Sequence, residues 1–419
     1  MSVDVTNRNW EAAAATMKHA AGEGTPFSSL ECDSALASLK ALIPVENEGK
    51  NIDWGRLRSC LKERAHLAPK DWPVTSETAA MLEDIFGTPN TSEAFQKVFD
   101  WVLEGGNWHK AKEAAKARPA AEKPWVVLVM GVNGIRKTTS VYQRWVTKAL
   151  SAALGQEVEE SSLPSGSNSF FRQLDYMVAT LANDELQKLY KGPLCADGMG
   201  SEPYSKYKDA VFARYRTIAE ALGILLLNAA KVEKMNVMVE TSGRDIASFA
   251  YIERFFPEES QYRKLVLNFS IDDIMHAEQS VDVRMKREMR NGRAAVIRNA
   301  DASELVRVNA GGPYGSAVLK GINAQSQQVW YRVNSTVIHG ECEAGTQRST
   351  TETGGASGDK SVESRAKSTG DGKARCYLTW SKAHIAIHGN ESPNQWYARA
   401  VFNGLEVEPK YSYVTLSEK

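Results

Sequence analysis

The chain has 419 residues, 42% of them hydrophobic and 24% charged, with 51 Lys plus Arg against 51 Asp plus Glu and a formal net charge of zero. That length excludes a peptide or a single small module and allows two or three domains. The composition excludes disordered and fibrous classes, and the balanced charge makes a nucleic acid or an anionic membrane an unexpected partner.

Cys32, Cys60, Cys195, Cys342 and Cys376 are scattered without a CxxC pair, which argues against a disulfide framework or a structural zinc. The first thirty residues mix Asp4, Arg8, Glu11 and Glu23 with small residues, unlike a secretory signal or a transit peptide. With no apolar stretch of about 18 residues, a soluble cytoplasmic protein is expected.

Residues 1–118 read as a helical region, with Leu36, Leu39, Leu42 and Phe95, Val98, Phe99, Val102 at helical spacing. Asn90, three residues before Glu93, resembles a helix entry, and Gly105 and Gly106 close the last clear turn. Lys110 to Pro124 reads as a connecting helix or linker, and a boundary falls near 119.

From Trp125 to Met130 a continuous apolar run has the character of a strand buried on both faces. Related runs are Val237–Val239, Leu265–Phe269 and, inside a helical pattern, Ile224–Leu227. Helical segments at 137–153, 173–190, 207–233 and 274–292 alternate with them, so residues 119–300 are expected to form an α/β domain with a parallel sheet flanked by helices. Beyond 300, alternation at Val329, Tyr331, Val333 and at Tyr377, Thr379, Ile385, Ile387 suggests antiparallel strands in a small β-rich tail, 301–419. Sixteen of the 34 residues from 341 to 374 are Gly, Ser or Thr and none is aromatic, which predicts a mobile loop there.

The first apolar run enters Gly131-Val132-Asn133-Gly134-Ile135-Arg136-Lys137-Thr138-Thr139 and then a helical pattern. Strand, glycine turn and helix are what a nucleoside triphosphate needs: inward amides around the phosphates, a lysine for the outer phosphates and a hydroxyl for magnesium. Gly131 and Gly134 permit the turn, while Lys137 and Thr138 supply charge and hydroxyl. The match to GxxxxGK[ST] is one residue short, because Arg136 stands where the last glycine belongs. Its cation would either crowd the phosphates or add a contact. The bland reading is a strand-to-helix turn with an incidental Lys-Thr.

Over residues 125–293 the chain resembles the zeta-toxin-like P-loop kinases, relatives of small-molecule kinases such as chloramphenicol phosphotransferase. The resemblance rests on four features in order: the glycine turn; Asn168-Ser169-Phe170-Phe171-Arg172-Gln173, similar to the family's Asp-x-Phe-Arg segment; Val237 to Arg244, similar to a strand ending in Glu-Gly-Thr-x-Arg; and a helix with Arg284, Arg287, Arg290 and Arg293, similar to an arginine-bearing lid. It implies a P-loop nucleoside triphosphatase fold and an ATP- and Mg2+-dependent kinase acting on the hydroxyl of a small molecule. Lys137, Glu240, Arg284 and Arg293 would be catalytic. Asn133, Thr139 and Arg244 would join the turn in holding nucleotide, and Thr138 with Glu240 would hold the metal.

Asn168 and Ser169 occupy the position of the family's aspartate base, and neither is a base at neutral pH. The role passes to a neighbour such as Asp175 or is missing. For Glu240 the other reading is a helix cap; for the arginines, a solvated charged face paired with Asp282 and Glu288. His384 and His388 alternate with Ile385 and Ile387 as outer-face strand residues, and Tyr204, Tyr207, Phe212 and Tyr215 suit packing better than base stacking. The alternative to a kinase is an impaired nucleotide-binding or interaction protein that docks a protein partner through 1–118 or 301–419.

Overall fold

The computed structural model describes residues 10–43, 52–154, 162–192, 195, 200–309, 311–339, 380–389, 395–403 and 410–417. The N-terminal part is helical: α1 (Trp10–Gly22), α2 (Ser29–Lys40), α3 (Trp54–Arg64), α4 (Trp72–Phe86), α5 (Glu93–Val98), α6 (Asp100–Gly105) and α7 (Trp108–Ala117). Side chains that accept otherwise unpaired amides set several starts. Ser28 and Glu31 form a capping box on α2, while Asp53, Asp71 and Ser92 cap α3, α4 and α5. The entry expected at Asn90 therefore falls at Ser92, and Asn90 instead accepts a hydrogen bond from Lys112.

Next come β1 (Trp125–Met130), α8 (Lys137–Ser140), α9 (Arg144–Leu154), β2 (Ser169–Arg172), α10 (Leu174–Leu181), α11 (Asn183–Lys191), α12 (Ser201–Val232) and β3 (Asn236–Thr241). Then follow α13 (Ala247–Phe255), β4 (Arg263–Ile271), α14 (Ile274–Ile297), α15 (Ala302–Val308), α16 (Leu319–His339), β5 (Ser381–Gly389), β6 (Gln395–Asn403) and β7 (Lys410–Ser417). The strands form one sheet in the order β2-β3-β1-β4-β5-β6-β7. The first five are parallel, and β6 and β7 continue the sheet antiparallel from β5. All six residues of β1 are buried, as a strand with neighbours on both edges and helices on both faces requires. The result is an α/β architecture, a five-strand parallel sheet flanked by helices, compatible with the P-loop fold.

Further expectations are corrected: the helix expected over 173–190 is divided into α10 and α11, and β5, expected in a separate antiparallel tail, joins the main sheet parallel to β4. The alternation at Val329, Tyr331 and Val333 belongs to α16, not to a strand: Leu319, Ile322, Ser326, Trp330 and Val333 are buried at helical spacing, whereas Tyr331 is exposed. A three-residue window satisfied both periods, and the longer pattern decides. The helix expected over 137–153 is divided into α8 and α9, so a single turn follows the glycine segment. The segment 341–374 and Tyr377 lie outside the described residues.

Helix α12 is buried nearly all round, which absorbs the strand-like run Ile224–Leu227. It joins the N-terminal helices to the sheet. Its Arg214 donates to the carbonyls of Thr25 and Pro26 and pairs with Glu31, and Thr217 donates to the Leu67 carbonyl at 2.6 Å. This docking brings the start of α4 to the open side of the sheet. Among the described residues no helix is long and apolar enough to cross a membrane.

Candidate functional site

The turn after β1 is pressed between β4 and α14, and this fixes its glycines. Gly131 has φ 135°, and a Cβ there would lie 2.5 Å from the Phe269 carbonyl oxygen; at Gly134, φ 88°, it would lie 2.4 Å from that of Ala277. Side chains at either position meet backbone, which yields far less readily than a side chain. Gly134→Ala is expected to lower stability by about 2–4 kcal/mol, from left-handed strain plus overpacking. Its midpoint in urea should fall accordingly; an unchanged midpoint would refute this packing.

Arg136 keeps the left-handed conformation a glycine would supply, at φ 58° and ψ 29°, and its side chain is exposed at the cavity edge. Lys137 is 3% exposed. Its Nζ donates to the Val132 carbonyl at 3.0 Å and pairs with Glu240 Oε1 at 3.1 Å. Thr138 Oγ1 donates to Glu240 Oε2 at 3.0 Å. Glu240 reaches both because β3 runs beside β1 with Val129 opposite Glu240, delivering the carboxylate at the C-terminal edge of the sheet. A buried ammonium, a hydroxyl and a half-buried carboxylate thus meet at one point.

That point opens into a cavity of about 1220 Å3. Asn133, Gly134 and Thr139 border it from the turn, Arg244 from beyond β3, Asp175 from α10 and Arg284 from α14. Burial pushes the Asp175 carboxyl up to about 6, opposed by Lys208 and Arg284 and reinforced by Glu240 and Glu288. Arg284 Nη2 donates to the Gly312 carbonyl at 2.7 Å, and Arg244 Nη2 donates to the Tyr314 hydroxyl at 2.7 Å while stacking over its ring. The two guanidiniums hold the Gly311-Gly312-Pro313-Tyr314 segment along the cavity wall. Gly312 in turn sits beside Asn133 and Asp175.

Of the remaining sequence candidates, Gly131 lies behind the turn, and Arg287 borders the cavity whereas Arg290 and Arg293 do not. Arg293 stands instead near Cys195, where its charge opposes the rise that burial imposes on the thiol. Asn168 and Ser169 are also outside the cavity. Asn168 accepts from the Ser165 amide and donates to the Leu163 carbonyl, shaping the approach to β2. Tyr204, Tyr207 and Tyr215 are buried packing residues, while Phe212, also buried, borders the cavity. His384 sits on β5 with Nε2 2.7 Å from the Ser270 hydroxyl.

Lys208, Arg216 and Glu220 escaped the sequence reading, as did the pairing of Arg172 and of Glu288 with residues of α12. Lys208, fully buried, pairs with Glu288 at 2.7 Å beneath Arg284. Arg172 pairs with Glu220 at 2.7 Å, and Arg216 pairs with the same carboxylate. The Gly-Gly-Pro at 311–313 carried a turn signal; its place on the cavity did not follow from it.

The fold and site together define an α/β protein with a glycine turn and a Lys-Thr-Glu cluster at the C-terminal edge of its parallel strands. No protein-family model matches the chain, and no curated protein does. Among solved structures, one from the study "Molecular and structural characterization of the PezAT chromosomal toxin-antitoxin system of the human pathogen Streptococcus pneumoniae" is distantly similar. It shares 11% identity, over 56% of this chain and 96% of that one, with a TM-score of 0.25. At that distance the functional reading rests on this chain's own residues.

Proposed function

We propose that the protein is an ATP- and magnesium-dependent phosphotransferase that passes the γ-phosphoryl group to a hydroxyl of a small molecule. The observation that carries this reading is the convergence of Lys137 and Thr138 on Glu240 at the mouth of a glycine turn. Lys137 would hold the outer phosphates, and the turn amides with Asn133 and Arg136 would surround the chain of phosphates. Thr138 and Glu240 are hard oxygen donors suited to magnesium. Among the described residues no group of three or more His, Cys, Asp or Glu is placed to hold a metal. A site with one carboxylate and one hydroxyl fits an ion that keeps waters and binds phosphate oxygens.

When bound, magnesium would supply charge neutralisation on the phosphate oxygens. Asp175 would accept the proton of the attacking hydroxyl, and Arg284 and Arg244 would stabilise charge on the transferring group. Taking up that role requires both arginines to exchange their contacts with residues 312 and 314 for the phosphates. The cavity exceeds the roughly 300–1,000 Å3 of a typical single-ligand pocket, leaving space for an acceptor beside the nucleotide.

A second reading, nucleotide binding without transfer, is favoured by Arg136 at a glycine position and by the engagement of both arginines with 311–314. Titration with a fluorescent ATP analogue, with and without magnesium, separates these readings when combined with a transfer assay over an acceptor panel. Lys137→Ala is expected to weaken analogue binding at least tenfold and to abolish transfer. Arg136→Gly should weaken binding if the arginine is a ligand and strengthen it if the arginine crowds the phosphates. Magnesium-dependent binding without any transfer would support the second reading, and no binding at all would defeat both.

A further inference from the structure

We propose that the lobe of the cavity between α4, α12 and α13 is a subsite for an oxyanion, a carboxylate or a phosphate, borne by the acceptor. The acceptor's role rests on the phosphotransfer reading above; the anion site rests on the geometry that follows.

Two polar atoms in this lobe are buried and unmatched. Arg172 Nε and the Tyr251 hydroxyl have no hydrogen-bond partner, although Arg172 is 7% and Tyr251 2% exposed. Both residues border the cavity. The Arg172 guanidinium lies 4.9 Å from the centre of the Tyr251 ring, so the two are held side by side. Buried donors are nearly always satisfied, and an unmatched pair on two residues that border a cavity points to a ligand that completes them.

Charge points the same way. Arg172 and Arg216 share the one carboxylate of Glu220, at 2.7 and 2.9 Å, using both of its oxygens and leaving one positive charge over. Lys70, paired with Asp245, stands on the same wall. Its pKa is lowered, first by burial and then by the neighbouring Arg216 and Arg244, with Glu220 opposing. Arg172, Arg216 and Lys70 therefore meet only the carboxylates of Glu220 and Asp245. An uncompensated cation in a recess carries a desolvation cost that an incoming anion offsets.

The same wall offers a ring face. Trp72 and Tyr251 pack edge to face with centroids 4.9 Å apart, and both border the cavity. A ligand that sets an oxyanion against Arg172 and Tyr251 can lay its carbon skeleton on Trp72. Lys70 and Trp72 come from the N-terminal helical part, so the docking of those helices on α12 completes the subsite.

The test is calorimetric titration of the full chain with sodium phosphate and, separately, with sodium acetate at constant ionic strength. Tyr251→Phe removes one hydroxyl and keeps the ring, and Arg216→Gln alters a half-exposed side chain. Each is expected to weaken binding of the anion about tenfold, the loss of one charge-assisted hydrogen bond. ATP-analogue affinity should stay at the wild-type value in both variants, and the melting temperature should stay there in Tyr251→Phe, which breaks no ion pair. A loss seen with phosphate alone would assign a phosphorylated acceptor; a loss with acetate alone would assign a carboxylic acid.

Lys137→Ala should weaken analogue binding at least tenfold and leave this anion binding in place. If wild type binds neither anion, if both variants bind as wild type does, or if Lys137→Ala removes all anion binding, the subsite is refuted. Anion binding that depends on Tyr251 in a protein that takes up no ATP analogue would refute the kinase reading and leave the subsite standing.

Discussion

Lys208→Met is expected to lower the stability of the protein by about 3–5 kcal/mol, the cost of removing one partner from a buried ion pair. Lys208 is wholly buried, and Glu288, 2.7 Å away, is nearly so. The Tyr204 hydroxyl donates to the same Glu288 oxygen at 3.2 Å, while Arg284 stands 3.5 Å from the other. Methionine matches the length of the lysine stem, so the packing survives and the carboxylate is left without its nearest cation. Arg284 can turn toward it only by weakening its hold on the Gly312 carbonyl.

The double variant Lys208→Met/Glu288→Gln tests the cause. Glutamine retains an acceptor for Tyr204 and carries no charge, so most of the lost stability should return. Urea unfolding of wild type, the single variant and the double variant decides the matter. A single variant within about 1 kcal/mol of wild type, or a double variant no more stable than the single, would show that the pair is not what holds α12 to α14.

The path from sequence to this site was uneven for physical reasons. The first strand was legible because six apolar residues in a row suit only a strand covered on both faces or a helix segment, and the glycines that follow exclude a continuing helix. Glu240 was legible because it ends the matching run in β3. Lys208 was hidden because a lysine ordinarily reads as solvent-facing. Yet it stands four residues after Tyr204 and four before Phe212, on a face of α12 that is buried, and this spacing held the signal.

Contacts of Arg284 with Gly312 and of Arg244 with Tyr314 span 28 and 70 residues of chain, and local pattern carries no trace of them. The Arg172–Glu220–Arg216 cluster is of the same kind: Glu220 is legible as the i+4 partner of Arg216, while its pairing with Arg172 depends on how α12 crosses β2. Ring closure of the site by the N-terminal helices was likewise beyond a reading that treated 1–118 as a separate region. Asn168, at the position without an acid, shapes the turn before β2 and lies outside the cavity. Among the carboxylates that do border the cavity is Asp175, seven residues on from Asn168.

Asp175→Asn should then separate stability from catalysis. The folded protein holds the Asp175 proton up to about pH 6, whereas an unfolded aspartate releases it near 3.8. Between those values the folded state binds more protons, so stability declines as pH rises, and above about 6 the full cost of a charged, half-buried carboxylate is present. A displacement of that size corresponds to roughly 3 kcal/mol at full burial. Asp175 keeps part of its surface in water, so an increase of about 1–2 kcal/mol is expected for Asp175→Asn at pH 8. The difference should shrink through pH 6 and vanish below about pH 4, where both states of the wild type are protonated.

Transfer should move in the opposite direction. If Asp175 takes the proton of the attacking hydroxyl, asparagine lowers the rate about 10²–10⁴-fold, and the wild-type rate rises with pH through about 6 as the carboxylate forms. Thermal melts across pH 4–8 and initial rates on the same samples supply both readouts. A variant that is less stable than wild type at pH 8 would overturn the electrostatic account of α10. A more stable variant that still transfers phosphate at the wild-type rate would leave that account intact and remove Asp175 from the chemistry, so each half of the argument can fail alone.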